Sequence, residues 1–251
     1  AKCKITKPGG GDLEDPEDVV APINNFGIAL WANTEVSLND YVVSQRSVPF
    51  SNYKGHLETI LSYDKSMKDA HLPCQLFYPD SPGLYNKTEI VGFNVNEGYK
   101  QRRALANRSK VFETISPIKA DFLRTMNHLA PGNKLSIRLD KAKNSFLLLA
   151  KEQEGGDLPD YEVKILDLKL YYNRIRLAEN IKPIARERYP IETTEMKIFP
   201  LSSGLLQANI DVIGSGRIPK TVIVAQVLTE AMKGSYKENP FFFHHFFLNS
   251  I

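Results

Sequence analysis

Short stretches in which apolar and polar residues alternate recur along this chain, and they limit the folds that it can adopt. In Leu135-Ser-Ile-Arg-Leu the three apolar residues share one face of a strand, because successive side chains of a strand point to opposite faces. Further strand patterns lie at Val111–Ile115, Ile118–Leu123, Phe146–Leu149 and Met196–Phe199. So many short strands separated by turn residues predict an all-β protein made of antiparallel sheets.

A tight hairpin and one inserted helix are also predicted. Val36 and Leu38 alternate with polar residues before Asn39-Asp40, a pair that suits a two-residue turn, and Tyr41-Val-Val then forms the second strand. From Ser51 the apolar spacing becomes helical, which predicts a helix near Asn52–Ser62 with this serine as its cap.

The stretch Tyr161–Leu177 carries a shift in its apolar pattern. The pattern passes through Val163 and Ile165 and then moves by one residue to Leu166. A strand cannot continue through such a shift without an extra residue, so we predict a β-bulge near Ile165. A helix is the alternative, but the β-branched and tyrosine content favours a strand.

The composition is that of an ordinary folded protein, with 42% hydrophobic residues, 24% charged residues and a net charge of +3. Two cysteines, Cys3 and Cys74, are too few for a disulfide framework, so we expect free thiols. No stretch approaches the roughly 20 apolar residues that cross a bilayer, so no membrane span is predicted.

Motifs of common enzymes are absent from the sequence: there is no Gly-x-Ser-x-Gly, no phosphate loop and no His-Glu-x-x-His. His244 and His245 are adjacent and would point to opposite faces of a strand. His56 and Glu58, two residues apart, do not face one another on a helix. We therefore predict no enzymatic activity, no cofactor and no metal site.

One stretch concentrates basic residues with no acid among them: Lys100, Arg102, Arg103, Arg108 and Lys110. Such a stretch is usually a solvated loop. The functional alternative is that it contacts the phosphates of packaged DNA without reading the base sequence.

The end of the chain is unusually aromatic. Five phenylalanines lie there: Phe241, Phe242, Phe243, Phe246 and Phe247. This segment predicts a strand that needs partner strands, because an unpaired strand of this kind promotes aggregation. We expect those partners to come from a longer protein. For these phenylalanines, and for Tyr171 and Tyr172, stacking platforms for sugars or bases are the alternative, although aromatics in strands usually belong to a core.

Several short motifs together carry a resemblance to a known family. In chain order they are Glu35-Val-Ser-Leu-Asn, Leu57-Glu-Thr-Ile-Leu-Ser-Tyr, Ile118-Lys-Ala-Asp-Phe, Leu135-Ser-Ile-Arg-Leu, Val163-Lys-Ile-Leu-Asp, Leu170-Tyr-Tyr-Asn-Arg-Ile-Arg-Leu, Tyr189-Pro-Ile, Glu195-Met-Lys-Ile-Phe, Ile218-Pro-Lys and Lys237-Glu-Asn-Pro-Phe. With this order the chain resembles the double jelly-roll major capsid proteins, or hexons, of polinton-like and adintovirus-type DNA viruses, copies of which also lie in animal genomes.

The resemblance implies a fold and an organisation. The fold would be a jelly-roll β-sandwich with short inserted helices, followed by the truncated start of a second jelly roll. Residues 1–180 would be the first roll without its opening strand, residues 181–190 a connector, and residues 191–251 the start of the second roll.

The resemblance also implies a structural function. Such proteins form homotrimers that act as pseudo-hexameric capsomers of an icosahedral shell, beside penton and minor capsid proteins. The expected location is a virion capsid assembled in the cytoplasm or nucleus of a eukaryotic host cell. The alternative is a jelly-roll module that binds carbohydrate or another ligand, because a fold alone does not determine a function.

Overall fold

Three small antiparallel sheets and several short helices make up the chain in a computed structural model. The structure describes residues 1–14, 18–44, 50–125, 128–152, 160–176, 188–205, 207–210 and 218–246. The strands are β1 (Lys2–Thr6), β2 (Val20–Pro22), β3 (Trp31–Leu38), β4 (Tyr41–Val42), β5 (Phe112–Glu113), β6 (Leu135–Lys141), β7 (Leu148–Ala150) and β8 (Glu162–Asp167). Their orders are β5-β1-β8, β2-β7 and β4-β3-β6. The predicted antiparallel sheet architecture is confirmed at this level.

The helices lie between and beside these strands. They are α1 (Phe26–Ala29), α2 (Ser51–Ser62), α3 (Lys65–Ala70), α4 (Glu97–Ala106), α5 (Asn144–Leu147) and α6 (Thr229–Lys233). Four 3₁₀ turns, Pro8–Gly10, Leu72–Gln75, Asn107–Ser109 and Asp121–Arg124, complete the regular elements of the described residues.

The predicted hairpin is confirmed. Strands β3 and β4 pair with Leu38 opposite Tyr41, and the turn residues Asn39 and Asp40 have φ of 50° and 67°. Two positive φ angles are what a type I′ turn requires, and its twist matches that of the strands. On its other side β3 pairs with β6, so the hairpin is one edge of a three-stranded sheet.

The predicted bulge is confirmed as well. In the β1–β8 ladder Lys2 lies opposite Asp167, whereas Cys3 lies opposite Ile165. Leu166 is therefore the extra residue on β8. It moves the apolar face of the strand by one position, as the shifted pattern requires.

Helix α2 begins one residue earlier than predicted, and the prediction that Ser51 caps it is wrong. Ser51 is the first helical residue, and Phe50, with φ of 62°, precedes it without a capping side chain. The Ser51 hydroxyl instead accepts a hydrogen bond from the Thr34 backbone at 3.2 Å. The serine thus joins the helix to β3.

Other predicted strands are wrong in part. Ile118–Leu123 is no strand, because the chain turns through a 3₁₀ turn from Asp121. The stretch 146–149 begins in α5 and becomes β7 only at Leu148. Met196–Phe199 lies outside any strand, and the described residues from 188 to 246 contain α6 and no strand.

The main core is shared between the two ends of the chain. Strands β1, β2 and β7 supply buried side chains, and the C-terminal segment adds Tyr236 and Phe241. The backbone N–H of Ala150 donates to the carbonyl of Tyr236 at 2.8 Å. The predicted aromatic strand is absent from residues 241–246, and Phe247 lies outside the described residues. Most of the predicted connector, residues 181–187, also lies outside them, so the domain boundaries stay a prediction.

Candidate functional site

Part of the basic stretch, residues 100–110, is buried and part is exposed. Arg102 is completely buried: its Nε donates to the Pro22 carbonyl at 2.8 Å, and its Nη2 lies 2.6 Å from Asp80 Oδ1. A third hydrogen bond reaches the Tyr78 carbonyl. Arg102 therefore faces the interior and cannot contact a polyanion at the surface, which corrects the sequence-based assignment of this residue.

The remaining basic residues differ in exposure. Arg103 is also buried, with 6% of its surface exposed, so it too is removed from a surface patch. Lys100, Arg108 and Lys110 are exposed, and the Lys100 ammonium lies 3.8 Å from Glu97. Residues three and four apart share a helix face, and the face of α4 that carries Arg102 and Arg103 points inward. That Lys100, Arg108 and Lys110 contact DNA stays a prediction.

A buried polar cluster around Asp80 holds the C-terminal segment in place. Asp80 accepts hydrogen bonds from Arg102, from Asn96 Nδ2 at 2.8 Å and from Asn239 Nδ2 at 3.0 Å. Asn96 also caps α4 through Tyr99 N. Buried polar groups are costly unless they are paired, so this cluster specifies one position for the segment. Asn239 belongs to the motif Lys237-Glu-Asn-Pro-Phe, but the sequence of that motif does not reveal its buried contact with Asp80.

His56 anchors the same segment from the side of helix α2. Its ring stacks on Phe241 at 3.8 Å between centroids with an angle of 5°, and its Nδ1 lies 3.4 Å from Asn25 Nδ2. Burial, helped by the nearby positive charge of Arg102, lowers the pKa of His56 to about 3. Glu58 points elsewhere and bonds to Arg124 Nη1 at 2.9 Å. His56 is therefore a neutral core residue.

A second buried ion pair joins helix α2 to the 3₁₀ turn Asp121–Arg124. The Lys54 ammonium bonds to the carboxylate of Asp121, and both side chains are about 6% exposed. The other oxygen of that carboxylate accepts from Thr194 N at 2.8 Å, and the Tyr189 ring lies 5.9 Å from Phe122. These contacts join residues 189–194 to the 3₁₀ turn Asp121–Arg124.

The most conspicuous surface feature is apolar and follows β8. After Asp167 the chain continues without secondary structure to residue 176, a stretch that we name the β8 extension (residues 168–176). Leu166 and the extension together expose six large hydrophobic side chains: Leu166, Leu168, Leu170, Tyr171, Tyr172 and Ile175. Their exposed fractions range from 51% to 78%. The predicted strand through this region therefore ends at Asp167.

Further exposed apolar side chains follow in the later part of the chain. They are Ile198, Phe199, Leu201, Leu205, Ile210, Ile218, Val222, Ile223 and Val224. So many exposed large apolar side chains are unusual on a soluble monomer, and apolar patches mark interaction surfaces. These exposed apolar side chains can therefore form an interface with another protein surface.

The described ranges contain neither a metal-binding cluster nor a membrane-spanning helix. Across those residues, no three His, Cys, Asp or Glu side chains converge as a metal site. None of the helices described is long and apolar enough to span a bilayer.

The comparisons with known proteins include an uncharacterized relative. No protein-family model matches the chain, and no solved structure matches it. It is similar to the uncharacterized protein F54H12.2 of Caenorhabditis elegans, with 24% identity over 239 residues, which are 90% of this chain and 52% of that protein. The chain thus spans about half the length of the curated relative that it matches.

Proposed function

We propose that this chain is part of a structural capsid protein of the double jelly-roll type, whose function is to associate with copies of itself. The ordered motifs from Glu35-Val-Ser-Leu-Asn to Lys237-Glu-Asn-Pro-Phe support the proposal, and the antiparallel sheets are compatible with it. In this proposal the sheets belong to a first jelly roll, and a second roll begins after residue 190.

One observation carries the proposal: the uneven distribution of exposed apolar side chains. Of the 24 large hydrophobic residues that are exposed in the described part of the chain, 15 lie between Leu166 and Val224. The strands and helices before Leu166 form a core of buried apolar side chains, so the exposure is not a general property of the chain. Self-association would cover these side chains, and closed symmetric assemblies are its usual result.

The proposed assembly is a homotrimer that acts as a pseudo-hexameric capsomer within a virion shell, beside penton and minor capsid proteins. Lys100, Arg108 and Lys110 are the remaining candidates for contact with packaged DNA, because their side chains are exposed. Phosphate contacts of this kind are independent of base sequence. No reaction and no cofactor belong to the proposed function.

The test is the solution mass of the chain, measured by light scattering after size exclusion over a range of concentrations. A trimer of the 28.3 kDa chain has a mass of about 85 kDa. A species of that mass, or a larger shell built from it, is the expected result. A folded monomer that persists at high concentration, both for this chain and for a longer protein that contains it, would contradict the proposal.

A ligand-binding module is the second candidate, and a row of stacked aromatic rings favours it. Tyr85 stacks on Phe242 at 4.6 Å, and His244 continues the row to Phe246 at 4.9 Å. Phe246 is half exposed, and aromatic faces of this kind bind sugars and bases. Saturable binding of a glycan by a monomeric chain, lost in a Phe246→Ala variant, would favour this second function.

A further inference from the structure

We propose that the apolar strip along β8 and its extension is the surface through which one copy contacts residues 218–224 of the next copy. This inference rests on the proposed self-association and assigns it to a particular surface. The strip consists of Leu166, Leu168, Leu170, Tyr171, Tyr172 and Ile175.

The backbone of the strip is available for pairing. Strand β8 is at the edge of its sheet, with β1 as its neighbour among the described strands. Within β8 the N–H of Val163 donates to the Asn144 side chain at 3.2 Å, so this end of the strand already has a partner. Beyond Asp167, no hydrogen bond joins the backbone of the β8 extension to another described residue. Edge strands left open in this way accept a further strand.

The side chains of the strip give the surface its apolar character. After the bulge, Leu166, Leu168 and Leu170 follow the two-residue period of a strand in the sequence, so pairing with a further strand would bring them to one face. Each of these leucines is between 51% and 60% exposed, and Tyr172 is 78% exposed. At roughly 200 Å² for a large side chain, the six residues expose on the order of 700 Å². A standard interface covers about 800 Å² on each partner.

A second copy of the chain is the partner that fits the proposed trimer. A closed ring of three needs two different surfaces on each copy, because a surface that pairs with itself gives a dimer. Residues 218–224 supply the second surface. Ile218 is 90% exposed, and Val222, Ile223 and Val224 are each at least 50% exposed. The β-branched residues of this segment favour extended structure.

The first experiment compares two matched leucine-to-aspartate variants by sedimentation over a concentration series. Leu170→Asp places a charge in the strip, and Leu61→Asp makes the same change on α2, where the leucine is 63% exposed against 60% for Leu170. We expect L170D to weaken self-association at least about 30-fold, as loss of a central interface residue does, and L61D to leave it unchanged. Circular dichroism and thermal melting check that both variants are folded.

The second experiment tests which surfaces meet. Leu170→Cys and Val222→Cys are made separately in a Cys74→Ser background, since Cys74 is an exposed free thiol. Mild oxidation of the mixed proteins should give a heterodisulfide between the two variants. A disulfide of L170C with itself, and none in the mixture, would overturn the head-to-tail arrangement.

The outcomes separate this inference from the proposed function. A wild-type chain that trimerises equally well with L170D would overturn the assigned surface and leave the capsid function intact. If the wild type does not self-associate in any form, the capsid function itself fails. If only a longer protein trimerises and L170D does not weaken that trimer, the strip is covered by the rest of that protein, and the inference is wrong.

Discussion

Replacement of Asp80 with asparagine should lower the free energy of unfolding by about 3–5 kcal/mol, the cost of removing one partner from a buried ion pair. The side chains of Arg102 and Asp80 are 0% and 3% exposed, and Nη2 lies 2.6 Å from Oδ1. Asparagine preserves the shape and can still accept a hydrogen bond. It removes the negative charge, however, so the guanidinium would remain buried without a counter-charge.

The assay is urea unfolding followed by circular dichroism, with thermal melting as a second measure. For a chain of this size each kcal/mol corresponds to about 2–4 °C, so the melting temperature of D80N should fall by about 10 °C. Asp140→Asn is the control, because Asp140 also bonds to an arginine, Arg138 Nε at 3.2 Å, but on the exposed surface. Its loss should stay below about 1 kcal/mol.

The double variant D80N/R102M tests whether the two residues stabilise the fold through their ion pair or independently of each other. Because both substitutions act on one interaction, the double variant should lose less stability than the sum of the single losses. A D80N loss below about 1 kcal/mol, with additive effects in the double variant, would refute the interior role of Arg102. The surface role that the sequence suggested for this arginine would then be restored.

Three further predictions concern acid stability, turn geometry and DNA binding. The pKa of His56 lies at about 3 in the folded state, below its usual 6.5. The stability that neutral His56 contributes is therefore complete above pH 6.5 and falls by about 1.4 kcal/mol per pH unit below it. The free energy of unfolding in urea should fall between pH 7 and pH 5 by about 2 kcal/mol more in the wild type than in His56→Gln. Asp40→Gly should stabilise the hairpin by up to about 1 kcal/mol in the same assay, because Asp40 has φ of 67° and glycine adopts this angle without strain. The exposed Asp40–Lys134 ion pair that it removes contributes less than about 1 kcal/mol, so a larger loss of stability would contradict the assigned turn. Joint replacement of Lys100, Arg108 and Lys110 by glutamine should weaken the salt dependence of duplex DNA binding. The slope of the logarithm of the binding constant against the logarithm of the salt concentration, measured by fluorescence anisotropy, should change by up to about 3. An unchanged slope would exclude these three residues as a DNA contact.

Local features of the chain could be predicted from its sequence because they depend on neighbouring residues. The hairpin follows from the backbone angles that Asn39 and Asp40 tolerate, and the bulge follows from the shift of the apolar pattern at Leu166. Helix α2 was also found from its apolar spacing. Its cap was missed because Ser51 forms its hydrogen bond to Thr34, 17 residues away.

The candidate surfaces were harder to predict because they depend on distant residues. The alternating pattern at Ile118–Leu123 fits a strand, but a 3₁₀ turn begins at Asp121, whose side chain bonds to the distant Lys54 in the interior. The basic stretch 100–110 suggested one patch, and helix α4 directs Arg102 and Arg103 inward. The aromatic C-terminal segment suggested a strand, whereas its Phe241 fills a gap beside His56.

The amino-acid sequence by itself determined the antiparallel character of the sheets, the hairpin, the bulge and helix α2, because short-range sterics and the period of apolar residues decide such features. Only the tertiary structure decided which charges are buried and which apolar residues remain uncovered. Arg102 and Lys100 have similar charges and lie two residues apart, yet one is enclosed with Asp80 and the other is exposed. That difference arises from partners brought together across long stretches of chain, and a local pattern contains no record of them.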